Sequence, residues 1–158
     1  MDFSQRFPMP MCETVLKRNC DIGIDPAYAY GLIRQEGRFI MDARSGVGAS
    51  GLMQIMPATA RETARHISLT GFNTGQINDL DTNININIGT AYLKRALDVF
   101  GGSMAMAAAA YNAGPSQPRD WRNGPPLEAA IWAENAPFMR HATTSKKCCP
   151  TPPATPPC

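Results

Sequence analysis

Glu36 stands where a catalytic acid could work. It closes an apolar stretch, residues 28–36, and a glycine-rich loop over residues 46–51 follows shortly after it. That loop leads to Gln54 and Met56, an amide and a thioether. A carboxyl group with a raised pKa can donate a proton and later accept one, which suits chemistry on a polar, uncharged ligand. The residue types therefore favour a sugar-cleaving site, although most glutamates at helix ends are solvated charges.

A second polar pair, Tyr111 and Asn112, follows the alanine-rich run 107–110 and precedes a Gly-Pro turn. Alanines permit close helix packing, while the tyrosine hydroxyl and the asparagine amide are polar groups that a sugar can bind. The alternative is structural, since asparagine is common beside a left-handed helix cap. The residues alone leave both interpretations open.

The run 46–51, Gly-Val-Gly-Ala-Ser-Gly, matches the dinucleotide-binding fingerprint letter for letter. Its context argues against a nucleotide site, because no hydrophobic strand precedes it and strand–helix units do not repeat. Pro57, not the third glycine, opens the next helix. We therefore expect these glycines to bring backbone close to a ligand or to adopt positive φ.

Composition and charge restrict the classes of function. The chain has 158 residues, 44% hydrophobic and 18% charged, which suits one globular domain with a buried core. The net charge of +2 is too small to argue for nucleic acid binding. No apolar run is long enough for a transmembrane segment, and residues 1–6 do not begin a signal peptide. Either the protein stays in the cytoplasm or an export segment lies outside this sequence.

Cysteine and histidine are sparse near the proposed site. The five cysteines lie towards the two ends, at Cys12, Cys20, Cys148, Cys149 and Cys158. Their spacing does not match that of a zinc site with histidine, so neither a metal ion nor another cofactor is expected. His66 and His141 are the only histidines, which leaves little material for a catalytic triad, and we expect His66 to be exposed.

The periodicity of apolar residues predicts a mainly α chain. Asp25 as N-cap and Pro26 in the first turn mark the start of the helix that ends at Glu36. Ile84 to Ile88 alternates like a strand, but the wider window places Ile84, Ile88, Tyr92 and Ala96 on one helical line. The predicted helices cover about 13–20, 26–36, 57–67, 83–100, 104–110 and 127–134, with loops over 41–56 and 70–80.

The end of the chain changes character at Thr143. Five of its last nine residues are proline, which excludes a helix or a central strand. We expect a disordered or extended tail.

Four ordered motifs resemble those of the family 1 lytic transglycosylases, the soluble, Slt-type enzymes with a goose-lysozyme-like catalytic domain. They are Gly31–Glu36, Ala43–Ala60, Asn87–Leu93 and Ala110–Pro115. The resemblance covers about residues 24–138 and implies a mainly α, lysozyme-like single domain with a glycine-rich active-site loop. The implied organisation is an N-terminal extension over 1–22, a catalytic domain over 23–138 and the tail over 139–158.

The resemblance also implies a reaction. Glu36 would protonate the oxygen between N-acetylmuramic acid and N-acetylglucosamine, then deprotonate the muramic acid 6-hydroxyl, which closes onto C1. One carboxylate suffices because the substrate supplies the nucleophile, whereas ordinary glycosidases use two; we regard Asp42 as structural. By position, the residues that match sugar-binding ones are Ser45, Gln54, Met56 and Tyr111, with Asn112 in the same motif.

The chain departs from the family pattern twice. The family usually has serine after the catalytic glutamate, and Gly37 here adds backbone freedom and removes a hydrogen bond. The last motif, beginning at Ile131, breaks after Phe138 and resembles a truncated or out-of-frame end. A murein-binding module without turnover and a hydrolytic muramidase therefore stay as alternatives to the transglycosylase.

The resemblance implies peptidoglycan glycan strands as the partner and the periplasm or cell envelope as the location. Envelope or secretion-machine partners stay open. Larger family members carry a helical superhelix ahead of this domain, which leaves a longer parent protein open as well.

Overall fold

The computed structural model describes residues 9, 11–73, 82–121 and 131–132. In this part of the chain the secondary structure is helical apart from two isolated β-bridges, so the mainly α prediction is confirmed. The helices are α1 (Cys12–Ile22), α2 (Pro26–Gly37), α3 (Pro57–His66), α4 (Thr82–Val99), α5 (Met104–Ala113) and α6 (Ser116–Asp120). Two compact units divide the chain, Met1–Ala91 and Tyr92–Cys158.

In the first unit, α1 packs on α2, and each helix has a defined boundary. Gly23, with φ 68°, ends α1, and its N–H is donated to the carbonyl groups of Asn19 and Cys20. The Asp25 carboxylate accepts the Ala27 N–H at 2.8 Å, and Pro26 occupies the first turn of α2, as predicted. These caps fix where α2 begins and therefore where, eleven residues after Asp25, Glu36 lies.

The buried core of the first unit joins α2 to the glycine-rich loop and α4. Its largest fully buried side chains are Val15, Asn19, Tyr28, Leu32, Ile33, Leu52, Met53, Thr63, Ile86, Ile88 and Thr90. Met53 is thus core filler, as its type suggests. The first half of α4 buries Ile86 completely and leaves Ile84 half-buried, so the buried face is rotated from the predicted line.

The limits of α4 lie within one residue of the predicted 83–100. Gly101 and Gly102 follow with φ of 61° and 83°, and the Gly102 N–H is donated to the Leu97 carbonyl at 2.8 Å. Glycine adopts this left-handed conformation without steric cost, so the pair ends the helix as expected.

In the second unit, α5 is longer than predicted. The Ser103 hydroxyl accepts the Met106 N–H at 3.4 Å and caps the start, as expected, but the helix continues to Ala113 instead of Ala110. Alanine is the strongest helix former, and the first residue with positive φ is Gly114, at 83°. Tyr111 and Asn112 therefore belong to the last helical turn and do not form a turn of their own.

The core of the second unit is built from small side chains on α5 packed against aromatic ones. The buried cluster comprises Ala96, Phe100, Ala105, Met106, Ala107, Ala109, Ala110 and Trp132, with Leu97 and Trp121 against it. The short helix α6 packs on α5 and was not predicted from the sequence. The predicted helix over 127–134, most of the loop over 70–80 and the tail lie outside the described residues, apart from residues 70–73 and 131–132.

Among the described helices, none combines the length and the apolar character that crossing a bilayer requires.

Candidate active site

Glu36 lies in the last turn of α2 and is half-buried. The turn beyond it is sharp, because Arg38 and Phe39 both adopt left-handed conformations, with φ of 49° and 63°. Non-glycine residues seldom adopt such φ values, so the surrounding structure must hold the backbone of this turn in place. It directs the chain from the carboxylate into the loop that carries the other predicted residues of this unit.

Gly37 has a different role from the one expected. It is buried and helical, and it does not supply a flexible turn. A Cβ at this position would overlap the Leu52 carbonyl oxygen and would lie 3.1 Å from the Leu52 carbonyl carbon. The expectation of added backbone freedom is therefore wrong, because glycine here permits close packing of the Glu36 helix end on the loop.

The loop between α2 and α3 forms two consecutive turns. In the first, the Ser45 N–H is donated to the Ala49 carbonyl at 2.8 Å, and the Ala49 N–H is donated to the Ser45 hydroxyl oxygen at 2.9 Å. In the second, Ser50 and Ile55 exchange backbone hydrogen bonds of 3.1 and 3.2 Å. The Ser45 hydroxyl thus has a hydrogen left to donate, because its bond to Ala49 uses only a lone pair.

Of the three loop glycines, Gly48 and Gly51 adopt positive φ, at 90° and 78°, which confirms one of the two expected roles. The close approach at Gly51 is to a protein side chain, Asn85. The loop runs through two turns before Pro57 opens α3, which is not the strand–turn–helix geometry of a dinucleotide site. The geometry therefore agrees with the argument against such a site.

Gln54 faces its own loop with its amide nitrogen. Nε2 donates to the Ala43 carbonyl at 2.9 Å and to the Gly51 carbonyl at 2.8 Å, and the backbone of Gln54 is left-handed, with φ 47°. A glutamine amide has two N–H donors, so both are used within the loop. For a ligand, Gln54 offers only its amide oxygen.

Met56 is the N-cap residue of α3 and is 39% exposed. Pro57 occupies the first turn, and the Ala60 N–H is donated to the Met56 carbonyl at 2.9 Å. The backbone of Met56 is thus fixed by the helix start, while the exposed thioether is available for contact with a ligand.

Sequence reasoning missed Asn85, a buried asparagine on α4 that is 6% exposed. Its Oδ1 accepts the Met53 N–H at 2.9 Å, and its Nδ2 donates to the Ser50 carbonyl at 3.0 Å. A signal for it was present in the sequence, because Asn85 lies four residues before Gly89 and eight before Leu93, on an otherwise apolar line. A polar residue on such a line must find partners in the core.

In the second unit, Tyr111 packs against Tyr92, with ring centroids 5.2 Å apart and an interplanar angle of 56°. Both rings are half-buried, which leaves part of each accessible. The Asn112 side-chain Nδ2 donates a hydrogen bond to the Ala108 carbonyl at 3.4 Å, within the same helix. Tyr111 and Asn112 are thus neighbours on one helix end, and Glu36, Ser45, Gln54 and Met56 share the first unit.

Three further polar residues of the first unit are Asp42, His66 and Tyr30. Asp42 and His66 are exposed, the latter as predicted. Burial raises the pKa of the Tyr30 hydroxyl, and the nearby Cys12, a free thiol, adds to the effect.

Within the described residues, no three His, Cys, Asp or Glu side chains are placed to hold a metal ion. A cleft of about 340 Å³ beside Arg61 and Arg65 is not lined by any predicted site residue.

The family model of the transglycosylase SLT domain matches residues 13–130, most of the chain. The chain belongs to the transglycosylase SLT domain family. Among curated relatives of this SLT domain, the soluble lytic murein transglycosylase of Escherichia coli K12 is 39% identical over 137 residues, which are 85% of this chain and 21% of the relative. The transglycosylase of Enterobacteria phage PRD1 is 34% identical over 105 residues, 66% of this chain and 35% of the relative.

Solved structures agree with the lysozyme-like fold of the SLT domain. An inactive mutant of lytic transglycosylase Slt from Pseudomonas aeruginosa has a TM-score of 0.85 and 36% identity, covering 93% of this chain and 24% of that one. The 70-kDa soluble lytic transglycosylase of Escherichia coli has a TM-score of 0.83 and 36% identity, covering 92% and 24%. The chain therefore spans only about a fifth of the Escherichia coli relative.

Proposed function

We propose that this SLT domain is a lytic transglycosylase that cleaves the β-1,4 bond between N-acetylmuramic acid and N-acetylglucosamine in peptidoglycan. Glu36, as the carboxylic acid, donates its proton to the glycosidic oxygen while the bond from that oxygen to C1 breaks. Glu36, now a carboxylate, takes the proton from the muramic acid 6-hydroxyl while the oxygen forms a bond to C1. The glutamate is regenerated, water is not consumed, and the product carries a 1,6-anhydro ring.

The observation that carries this proposal is the setting of Glu36. Glu36, a half-buried residue, stands at the helix end that packs against the loop carrying Ser45, Gln54 and Met56. A carboxyl group can donate a proton and then accept one, which is what the two steps require. The names of the matched relatives support the same reaction class, since several are called lytic murein transglycosylases.

The sugar contacts we propose differ in what each group offers. Ser45 has a hydroxyl hydrogen to donate, Gln54 has an amide oxygen to accept with, and Met56 presents an exposed thioether. Tyr111 and Asn112 are proposed as sugar contacts because of the family resemblance. Peptidoglycan glycan strands are the proposed substrate, which places the proposed site of action in the periplasm or cell envelope.

Product analysis tests this function. Purified murein is digested with the protein, and the muropeptides are separated and weighed by mass spectrometry without prior reduction. We expect fragments lighter than the hydrolysed form by one water, which carry the anhydro ring. Hydrated, reducing ends alone would identify a hydrolytic muramidase, and retained murein binding without any fragments would identify a binding module.

A further inference from the structure

Asn85 joins α4 to the site loop through both ends of its side-chain amide. The oxygen accepts from the Met53 N–H at 2.9 Å and the nitrogen donates to the Ser50 carbonyl at 3.0 Å. The side chain is almost completely buried, and asparagine is a residue type that usually prefers the surface. The cost of burying the Asn85 amide is offset because its oxygen and its nitrogen each form a hydrogen bond with the backbone.

Glycines on either side let the Asn85 amide and the loop approach each other closely. A Cβ on Gly51 would overlap the Asn85 amide group, approaching its carbon to 2.6 Å. A Cβ on Gly89, one turn along α4, would approach the Met53 Cβ to 2.8 Å. The loop segment from Ser50 to Met53 therefore packs on α4 more closely than side chains at either position would permit.

The same segment also contacts the helix end that carries the proposed acid. Leu52, between the two hydrogen-bonded residues, lies with its backbone against Gly37, the residue after Glu36. The contact is backbone to backbone, so a shift of Leu52 towards Gly37 would displace the helix end that carries Glu36. Gln54, which follows Met53, donates its amide hydrogens to the Ala43 and Gly51 carbonyls in the same loop.

We propose that Asn85 is a positioning residue for the reaction. Its amide fixes the Ser50–Met53 turn, and the contact between Leu52 and Gly37 then fixes the position of Glu36 relative to the loop. This inference rests on the proposed function of Glu36 as the acid and base. Asn85 does not touch the reacting atoms in this account. It acts through the backbone that Glu36 and Gln54 depend on.

The chemistry of the contact explains why an amide is required. The Ser50 carbonyl, which also accepts from the Ile55 N–H, takes its second donor from Asn85, and the Met53 N–H takes its acceptor from the same amide. Alanine supplies neither. Aspartate supplies the acceptor at all pH values but the donor only when it is protonated, and burial among uncharged backbone groups raises the pKa of a carboxyl group.

Asn85→Asp therefore turns the positioning into a pH-dependent property that a merely structural role would not show. At pH 8 its carboxylate faces the Ser50 carbonyl, and kcat should fall about tenfold with little change in KM, the loss expected for one broken buried hydrogen bond. As the pH falls towards 5, the protonated acid regains the donor, and the ratio of its kcat to that of the parent should rise. Asn85→Ala should show a ratio that stays low and flat.

Asn83→Asp is the matched control. Asn83 is exposed on the same helix, and its Oδ1 accepts from the Thr14 hydroxyl at 3.4 Å, a contact that aspartate can keep. This variant adds the same charge near the same helix start, and its kcat relative to the parent should stay near one at every pH. A flat ratio for Asn85→Asp, or parent-like kcat for Asn85→Ala, would overturn the proposal.

Hydrogen exchange gives a second test that needs no substrate. In folded Asn85→Ala, the Met53 amide hydrogen should exchange about tenfold faster than in the parent, because its acceptor is gone. The Ala29 amide, bonded within the start of α2, serves as the reference and should not change. Unchanged protection of the Met53 amide would contradict the proposal that Asn85 fixes this part of the loop. A parent that forms no anhydromuropeptides would instead contradict the proposed function, independently of the exchange result.

Discussion

The backbone of Leu52 lies against Gly37 so closely that a side chain at position 37 would overlap the Leu52 carbonyl oxygen. Gly37 stands where the family resemblance places serine, and the missing side chain lets the Glu36 helix end and the loop pack closely. We therefore expect this packing not to accommodate a serine at position 37.

Gly37→Ser should lower both stability and turnover. Overpacking of a well-filled site costs typically about 1–3 kcal/mol, which exceeds the gain of roughly 0.5 kcal/mol from the better helix propensity of serine. Urea unfolding measures the first effect and release of muropeptides from murein the second. Gly46→Ser is the stability control, since a Cβ at Gly46 meets nothing within 4 Å. A Gly37→Ser protein that is more stable and more active than the parent would contradict the steric argument. It would show that the hydrogen bond of a serine hydroxyl outweighs any overlap with Leu52.

Gly51→Ala should destabilise the protein more than Gly48→Ala. Both positions have positive φ, at 78° and 90°, so both substitutions carry the backbone cost of about 1–2 kcal/mol for an L-residue. Only at Gly51 does the new methyl group also overlap the Asn85 amide, because Gly48 has nothing within 4 Å. We expect a difference of at least about 1 kcal/mol between their free energies of unfolding. Equal losses would mean that the loop can move away from Asn85 at no cost.

The tilted pair of Tyr92 and Tyr111 should contribute a measurable interaction energy. Aromatic pairs in this geometry contribute about 0.5–1.5 kcal/mol beyond the area they bury. A double-mutant cycle with Tyr92→Leu and Tyr111→Leu, followed by thermal unfolding, isolates this energy. Strictly additive losses would show that the two rings do not support each other.

The sequence was sufficient wherever a boundary depends on local chemistry. Asp25 and Pro26 start α2, Pro57 starts α3, Ser103 starts α5, and each does so for the capping reason that its type suggests. The alternating isoleucines and asparagines of α4 were assigned correctly only because a window of several turns outweighs a strand-like run of five residues.

The sequence was insufficient wherever the outcome depends on a contact between distant segments. The donors of Gln54 are turned towards Ala43 and Gly51, which no residue pattern indicates. Gly37 could be noticed as unusual, but only the position of Leu52 shows that it permits close packing. The extension of α5 to Ala113 followed from helix propensity that the residues Tyr111 and Asn112 had obscured.

The most direct test of Glu36 as the acid and base compares Glu36→Gln with Glu13→Gln in the release of anhydromuropeptides from purified murein. Glutamine keeps the size and polarity of the side chain but cannot donate or accept the proton, whereas Glu13 is exposed on α1 and its substitution removes the same charge. General acid–base catalysis contributes about 10²–10⁴-fold. We predict that Glu36→Gln loses at least about a hundredfold of the rate while still binding murein, and that Glu13→Gln matches the parent. Anhydromuropeptide release by Glu36→Gln at the parental rate would contradict the account.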